Sequence, residues 1–273
     1  MKIDKTVEFL NAYPHLQNTK NKKKPILFLI HGFATDHRCF RYLEQNIKSF
    51  NYYSFDLPGS IIGMKYPSSV LKVSGMAKLI IKYIEANNLS NIILIGHSMG
   101  GAIAGIIASL IPIKINSLIM LSPLNKTSMP KLIDKFDKFN VKDHKSFMKL
   151  QREIFVNPTE TLEEIDKEEY YKQTLLLFKN NFKYLLKTMI AIIDISEIFY
   201  LDSKFRKIKI PTMILLGEKD NFIRVKHCKS YFEKIINGVD IKIIKSSGHG
   251  FFVEKKLDFF NIINDYIKLR EHE

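Results

Sequence analysis

The stretch Asn91-Ile92-Ile93-Leu94-Ile95-Gly96-His97-Ser98-Met99-Gly100-Gly101-Ala102 changes character at its centre. Residues 91–97 are an apolar, β-branched run of strand length, and residues 99–110 have the composition and length of a helix. A serine between the two must sit in strained dihedrals at a sharp strand-to-helix turn. Side chains two positions before and two after it would collide there, which calls for glycine at 96 and 100. Gly101 and Ala102 keep the helix start slim where it meets the sheet. Such a turn holds a hydroxyl at the end of a strand, and Ser98 is therefore the candidate nucleophile.

Working outward, similar apolar runs end at Gly, Pro, Asp or Ser over residues 25–31, 52–57, 117–122, 211–217 and 239–245. Continuous apolar runs of this length suit strands buried on both faces of a parallel sheet. Between them lie amphipathic stretches at 73–87, 226–236 and 257–269. The alternation predicts right-handed βαβ crossovers and a doubly wound α/β sheet. It stops between residues 125 and 206, where apolar residues recur at helical spacing. Residues 1–124 and 207–273 are thus expected to form the core, with 125–206 inserted as a helical cap. Phe136, Phe139, Phe147, Phe155, Phe178, Phe182, Leu185, Leu186, Met189 and Ile193 have two readings: docking the cap on the sheet, or lining an apolar acyl pocket. The first two dozen residues read as an edge strand or hairpin followed by the solvated run Lys20-Asn21-Lys22-Lys23-Lys24.

Three further segments close predicted strands. His31-Gly32-Phe33 follows the first; Gly32 lets the loop approach the serine, so that the N–H groups of Phe33 and Met99 can stabilise an oxyanion. Pro211 to Asp220 is a strand ending in a loop with a carboxylate. Ser247-Gly248-His249-Gly250-Phe251-Phe252 places a histidine in a Gly-rich loop. A serine hydroxyl needs a base, imidazole titrates near working pH, and a carboxylate fixes its tautomer. Ser98, His249 and Asp220 are the candidate catalytic residues. All of these elements fall at the carboxyl ends of strands, where open α/β sheets carry their sites.

Together these residues resemble the α/β-hydrolase superfamily, in particular its esterase, lipase and monoacylglycerol-lipase-like members. The resemblance runs from Pro25 to Leu269 through His31-Gly32-Phe33, Asp56-Leu57-Pro58-Gly59, Gly96 to Gly100, Asp220 and His249, in the order Ser, Asp, His. It implies an eight-stranded, mostly parallel sheet, cofactor-free and metal-free catalysis, and a cap between the strands at 117–122 and 211–217. The segment Ser60 to Ser68 departs from the family's usual glycine pattern, and the N-terminal hairpin is short.

Competing residues are Glu218, two positions before Asp220, and the cap carboxylates Asp194 and Asp202. His31 is expected to hydrogen-bond its loop, His97 to point away from Ser98, and His37 and Cys39 to pack. Phe33, Met99, Phe251 and Phe252 are candidates for an apolar pocket wall. No arginine clamp is evident, which favours an uncharged acyl group.

The chain has 273 residues, 46% hydrophobic and 26% charged, which suits one folded core. Cys39 and Cys228 belong to no metal or disulfide pattern, which fits a reducing cytoplasm. No secretory signal and no membrane span is legible. The net charge of +14 comes mostly from scattered lysines without a nucleic-acid motif, leaving weak attraction to anionic lipid as its residual role. The expected activity is hydrolysis of a carboxylic ester with an apolar, lipid-derived acyl group through an acyl-enzyme. Lysophospholipase, monoacylglycerol lipase, C–C bond hydrolase, peptidase and perhydrolase chemistry stay open, because the fold does not fix the substrate. A non-catalytic protein binding a small ligand is the alternative of another class.

Overall fold

The central strand is the one that carries the serine turn. The computed structural model describes residues 15–18, 24–47 and 50–270. In it β4 (Ile92–His97) is buried along its whole length, with β2 (Ile26–Ile30) on one side and β5 (Ile115–Leu121) on the other, all parallel. β3 (Asn51–Phe55) extends the sheet beyond β2, and β6 (Thr212–Gly217) and β7 (Asp240–Ile244) extend it beyond β5. β1 (His15–Asn18) closes one edge, antiparallel to β3. The order is β1-β3-β2-β4-β5-β6-β7. This confirms the expected α/β-hydrolase architecture, with six parallel strands and one antiparallel edge. The eighth strand implied by the resemblance is absent from the described residues, and Lys20 to Lys23 lie outside them.

Both faces of the sheet are covered because both sets of alternating side chains are apolar. On one face pack α2 (Val73–Ala86), α3 (Met99–Leu110) and α9 (Val225–Ile235), around Phe28, Leu94, Met120 and Ile214. On the other, Leu29, Ile95, Ile119 and Leu215 meet the C-terminal helix α11 (Lys256–Arg270) and the short α1 (Arg41–Asn46). The strand expected over 239–245 departs from this pattern. β7 is an edge strand with Lys242 and Ile243 exposed, so burial on both faces does not reach it.

Between β5 and β6 the described chain is helical: α4 (Met129–Asp134), α5 (His144–Ile154), α6 (Pro158–Glu163), α7 (Lys167–Ile193) and α8 (Ile195–Phe205), with short 3-10 turns. Phe147, Leu150, Leu162, Leu177, Phe178 and Leu185 form a core of their own. α8 behaves differently from the rest of the insertion. Its Leu201 and Phe205 enter the core of the sheet, and the Phe205 ring fills the space beside Gly105 of α3. Among the described residues no helix is long and apolar enough to cross a membrane.

Candidate active site

Ser98 links β4 to α3 with φ 53° and ψ −115°, a conformation rare for a residue with a side chain and costing about 1–3 kcal/mol. The surrounding bonds hold it there. Its N–H donates to the Leu121 carbonyl (2.8 Å), and its carbonyl accepts from the N–H groups of Ala102 (3.2 Å) and Leu124 (3.0 Å). The glycines are required by space. A Cβ on Gly96 would stand 2.2 Å from the Gly100 carbonyl oxygen, and one on Gly100 would stand 2.1 Å from that of Ile30.

Two loops bring the other side chains to this turn. The loop after β6 carries Asp220, and the loop after β7 carries His249. His249 Nδ1 lies 2.8 Å from Asp220 Oδ2, both residues being buried. The same carboxylate oxygen accepts from Ser122 Oγ (2.7 Å), while Oδ1 accepts from the N–H groups of Phe222 and Ile223 (2.8 Å each). Burial opposes ionisation of Asp220, but the imidazole and these donors outweigh it and hold the carboxyl below its usual range. The competing carboxylates are engaged elsewhere. Glu218 accepts from the Ser246 N–H, Asp194 caps α8, and Asp202 pairs with Lys126 and Arg206.

His97 Nε2 donates to the backbone carbonyl of His249 (3.1 Å), so this ring is engaged in fixing the histidine loop. Burial, reinforced by the neighbouring His249, depresses its pKa well below the usual value and keeps it neutral. His31 is also structural. The Leu57 N–H donates to its Nε2 (2.8 Å), so its ring proton sits on Nδ1, which bonds the Gly32 carbonyl (2.7 Å). This ring ties the His31-Gly32-Phe33 loop to the Asp56-Leu57-Pro58-Gly59 turn. Phe33 and Met99 both face the same cavity as Ser98 and His249. As the first residue of α3, Met99 has no intrahelical acceptor for its N–H, which is the property an oxyanion donor needs.

Asp36, His37 and Asp56 form a cluster whose ligand-type atoms lie within 4.8 Å of one another. Their polar atoms already serve each other. Asp56 Oδ1 accepts from the His37 N–H (2.9 Å) and faces its Nδ1 (2.8 Å), and Asp36 accepts from Arg38 Nε (2.9 Å) and Nη2 (2.5 Å). The arrangement fastens the 3-10 turn at His37–Phe40 and does not present an open cage.

The cavity has a volume of about 660 Å³. Its apolar walls come from Phe33, Met99, Leu124 and Phe252 of the core, and from Leu132, Phe139, Ile154, Phe155, Met189 and Ile193 of the insertion. The two readings of the insertion's apolar residues therefore divide by residue: Phe139, Phe155, Met189 and Ile193 line space, whereas Phe147, Phe178 and Leu185 pack among themselves. One expected wall residue is corrected. Phe251 is fully buried against Phe259 in the core beneath the sheet, because successive residues of the short helix α10 (Phe251–Glu254) point about 100° apart and only Phe252 reaches the cavity. Arg38 and Arg41 border the cavity, with Arg38 held by Asp36.

Several residues of this site carried no legible signal. Ser122 has φ 42° and supports Asp220 from the end of β5. Lys131 Nζ donates to the carbonyls of Asp220 (2.7 Å) and Ile223 (3.3 Å). Glu254 joins the histidine loop to the insertion: Oε2 accepts from the Gly248 N–H (2.6 Å), and Oε1 from the N–H groups of Val156 (2.6 Å) and Asn157 (3.3 Å). The Gly250 N–H completes this seam by donating to the Ile154 carbonyl (3.0 Å).

A strained serine at a strand-to-helix turn, a buried Asp-His pair on the loops after β6 and β7 and a helical insertion over a shared cavity together define a class of fold. The family model for the alpha/beta hydrolase fold matches residues 25–256, and the chain belongs to that family. It is 27% identical to "Putative esterase/lipase 2" of Mycoplasma genitalium over 90% of each chain. It is 23% identical to "Monoacylglycerol lipase ABHD6" of Homo sapiens, over 89% of this chain and 75% of that one. The crystal structure of "a putative lipase (lip1) from Acinetobacter baumannii AYE" superposes with a TM-score of 0.81 at 20% identity, covering 100% of this chain and 99% of the other.

Proposed function

We propose that the protein hydrolyses carboxylic esters of apolar acyl groups through an acyl-enzyme on Ser98. The observation that carries this reading is the 2.8 Å Asp220–His249 pair, opening with Ser98 on one largely apolar cavity. With Nδ1 bonded to Asp220, the imidazole has Nε2 available as base. Ser98 Oγ attacks the ester carbonyl carbon while His249 takes its proton, and the N–H groups of Phe33 and Met99 receive the developing oxyanion. Collapse breaks the bond to the alcohol oxygen, which leaves with the proton from His249. Water then repeats the sequence and releases the acid. The names of the relatives support an ester or lipid-ester substrate, and the cavity supports an apolar acyl chain. The lysine excess adds weak, salt-sensitive attraction to anionic lipid surfaces.

The test is a rate series on p-nitrophenyl esters from acetate to palmitate with Ser98→Ala as control, together with labelling by a fluorophosphonate. Turnover of short to medium chains and labelling of Ser98 are expected, with near-complete loss of both in the variant. Equal hydrolysis by Ser98→Ala removes the assignment, and a folded wild-type protein that does not label is a binding protein instead.

A further inference from the structure

Gln151 is out of place by the rules that govern the rest of the insertion. It lies in the last turn of α5, is fully buried and borders the cavity; Oε1 and Nε2 have no hydrogen-bond partner within 3.5 Å, and the Tyr170 hydroxyl is the polar group that acts on the amide. A buried primary amide left short of partners for its two donor hydrogens and its oxygen costs stability that a leucine or methionine of similar size would not. Its neighbours Phe147 and Leu150 follow the apolar pattern. The amide thus offers hydrogen-bonding capacity at the cavity wall.

Its position indicates what that capacity serves. The Phe155 N–H donates to the Gln151 carbonyl (2.8 Å), and the Ile154 carbonyl receives the N–H of Gly250, the residue after His249. Gln151 therefore stands one helical turn, about 5 Å along the axis, from the backbone that touches the histidine loop. The departing alcohol oxygen takes its proton from His249, so the alcohol half of an ester must lie on that side of Ser98. Beside Gln151, within reach of its side chain, stands Tyr170, also on the cavity wall, whose hydroxyl burial keeps protonated with a pKa of about 12. An uncharged amide that both donates and accepts, beside a phenol that does the same, suits a hydroxyl group and not an ion.

We propose that Gln151, with Tyr170, forms a subsite for hydroxyl groups on the alcohol half of the substrate, so that esters of a polyol such as glycerol are preferred over simple alkyl esters of the same acid. This rests on the ester-hydrolase reading above. The test compares glyceryl monobutyrate with ethyl butyrate for the wild type, Gln151→Met, Gln151→Leu and Tyr170→Phe, with thermal melting of each. The wild type is expected to favour the glyceryl ester. Gln151→Met and Gln151→Leu should lose about tenfold or more in kcat/KM on that ester, mainly through KM, and less than about twofold on ethyl butyrate, while melting no lower than the wild type. Tyr170→Phe should show the same selectivity with a smaller loss. Equal effects on both esters, or none, overturn the subsite and leave the hydrolase reading intact. If the wild type cleaves neither ester and resists the fluorophosphonate, the hydrolase reading falls and the subsite with it.

Discussion

Ser122 and His249 donate to the same oxygen of Asp220, Oδ2, at 2.7 and 2.8 Å. Ser122 therefore competes for no role of its own; it stabilises the ionised carboxylate that orients the ring. Ser122→Ala removes one donor to the charged form, so the Asp220 pKa rises. At pH 8 kcat should fall about tenfold, the size expected for one hydrogen bond to a buried charge, with KM little changed. Steady-state kinetics on a p-nitrophenyl ester checks this, and an unchanged kcat would show that the remaining donors suffice.

Gly100→Ala tests the strand-to-helix turn without touching a reacting group. Its Cβ would meet the backbone carbonyls of Ile30 and His31 at 2.1 and 2.4 Å, and neither can move without shifting β2. A loss of about 3 kcal/mol or more is expected, seen as a large drop in denaturation midpoint or as insoluble protein.

The serine turn was legible because its chemistry is local: glycine at 96 and 100 answers a clash within five residues. Asp220 and His249 were legible because each closes an apolar strand. Ser122, Lys131 and Glu254 were not, because their partners lie 89 or more residues away, apart from the bond of Glu254 to the nearby Gly248, and their own surroundings look like ordinary loop or helix. Phe251 and Phe252 were indistinguishable in sequence; which one faces the cavity depends on the phase of a single helical turn. β7 misled in the opposite direction, since an apolar run says nothing of whether a neighbouring strand follows it.

Glu254→Gln keeps size but gives up charge and turns one acceptor into a donor, which must then face an N–H of Gly248 or of Val156. The histidine loop or the end of α5 loses its anchor in either orientation. A fall of about tenfold or more in kcat is expected, with a slower fluorophosphonate reaction at Ser98 and near-normal melting. Wild-type labelling rates in the variant would show that the seam does not position the imidazole.

Asp202 gives a pH-dependent test of how α8 is fastened to the core. Partial burial opposes its ionisation, but Lys126, Arg206 and Tyr231 outweigh this and lower its pKa to about 2. A carboxyl depressed in the folded state stabilises above its unfolded pKa and loses that contribution as pH falls through the folded value. Asp202→Asn should therefore melt lower than the wild type at pH 7, by about 2 °C, with the gap closing between pH 4 and 2. A gap that persists at the acid end would assign the effect to packing.

The hydrogen bonds from Gly250 to Ile154, and from Gly248 and Val156 to Glu254, have a mechanical corollary. The end of α5 is stitched to the very loop that carries His249, so it cannot swing outward as a free lid without displacing that ring from Asp220. On the hydrolase reading proposed above, opening the chamber at this edge would disturb the imidazole, so substrate entry is expected along another rim.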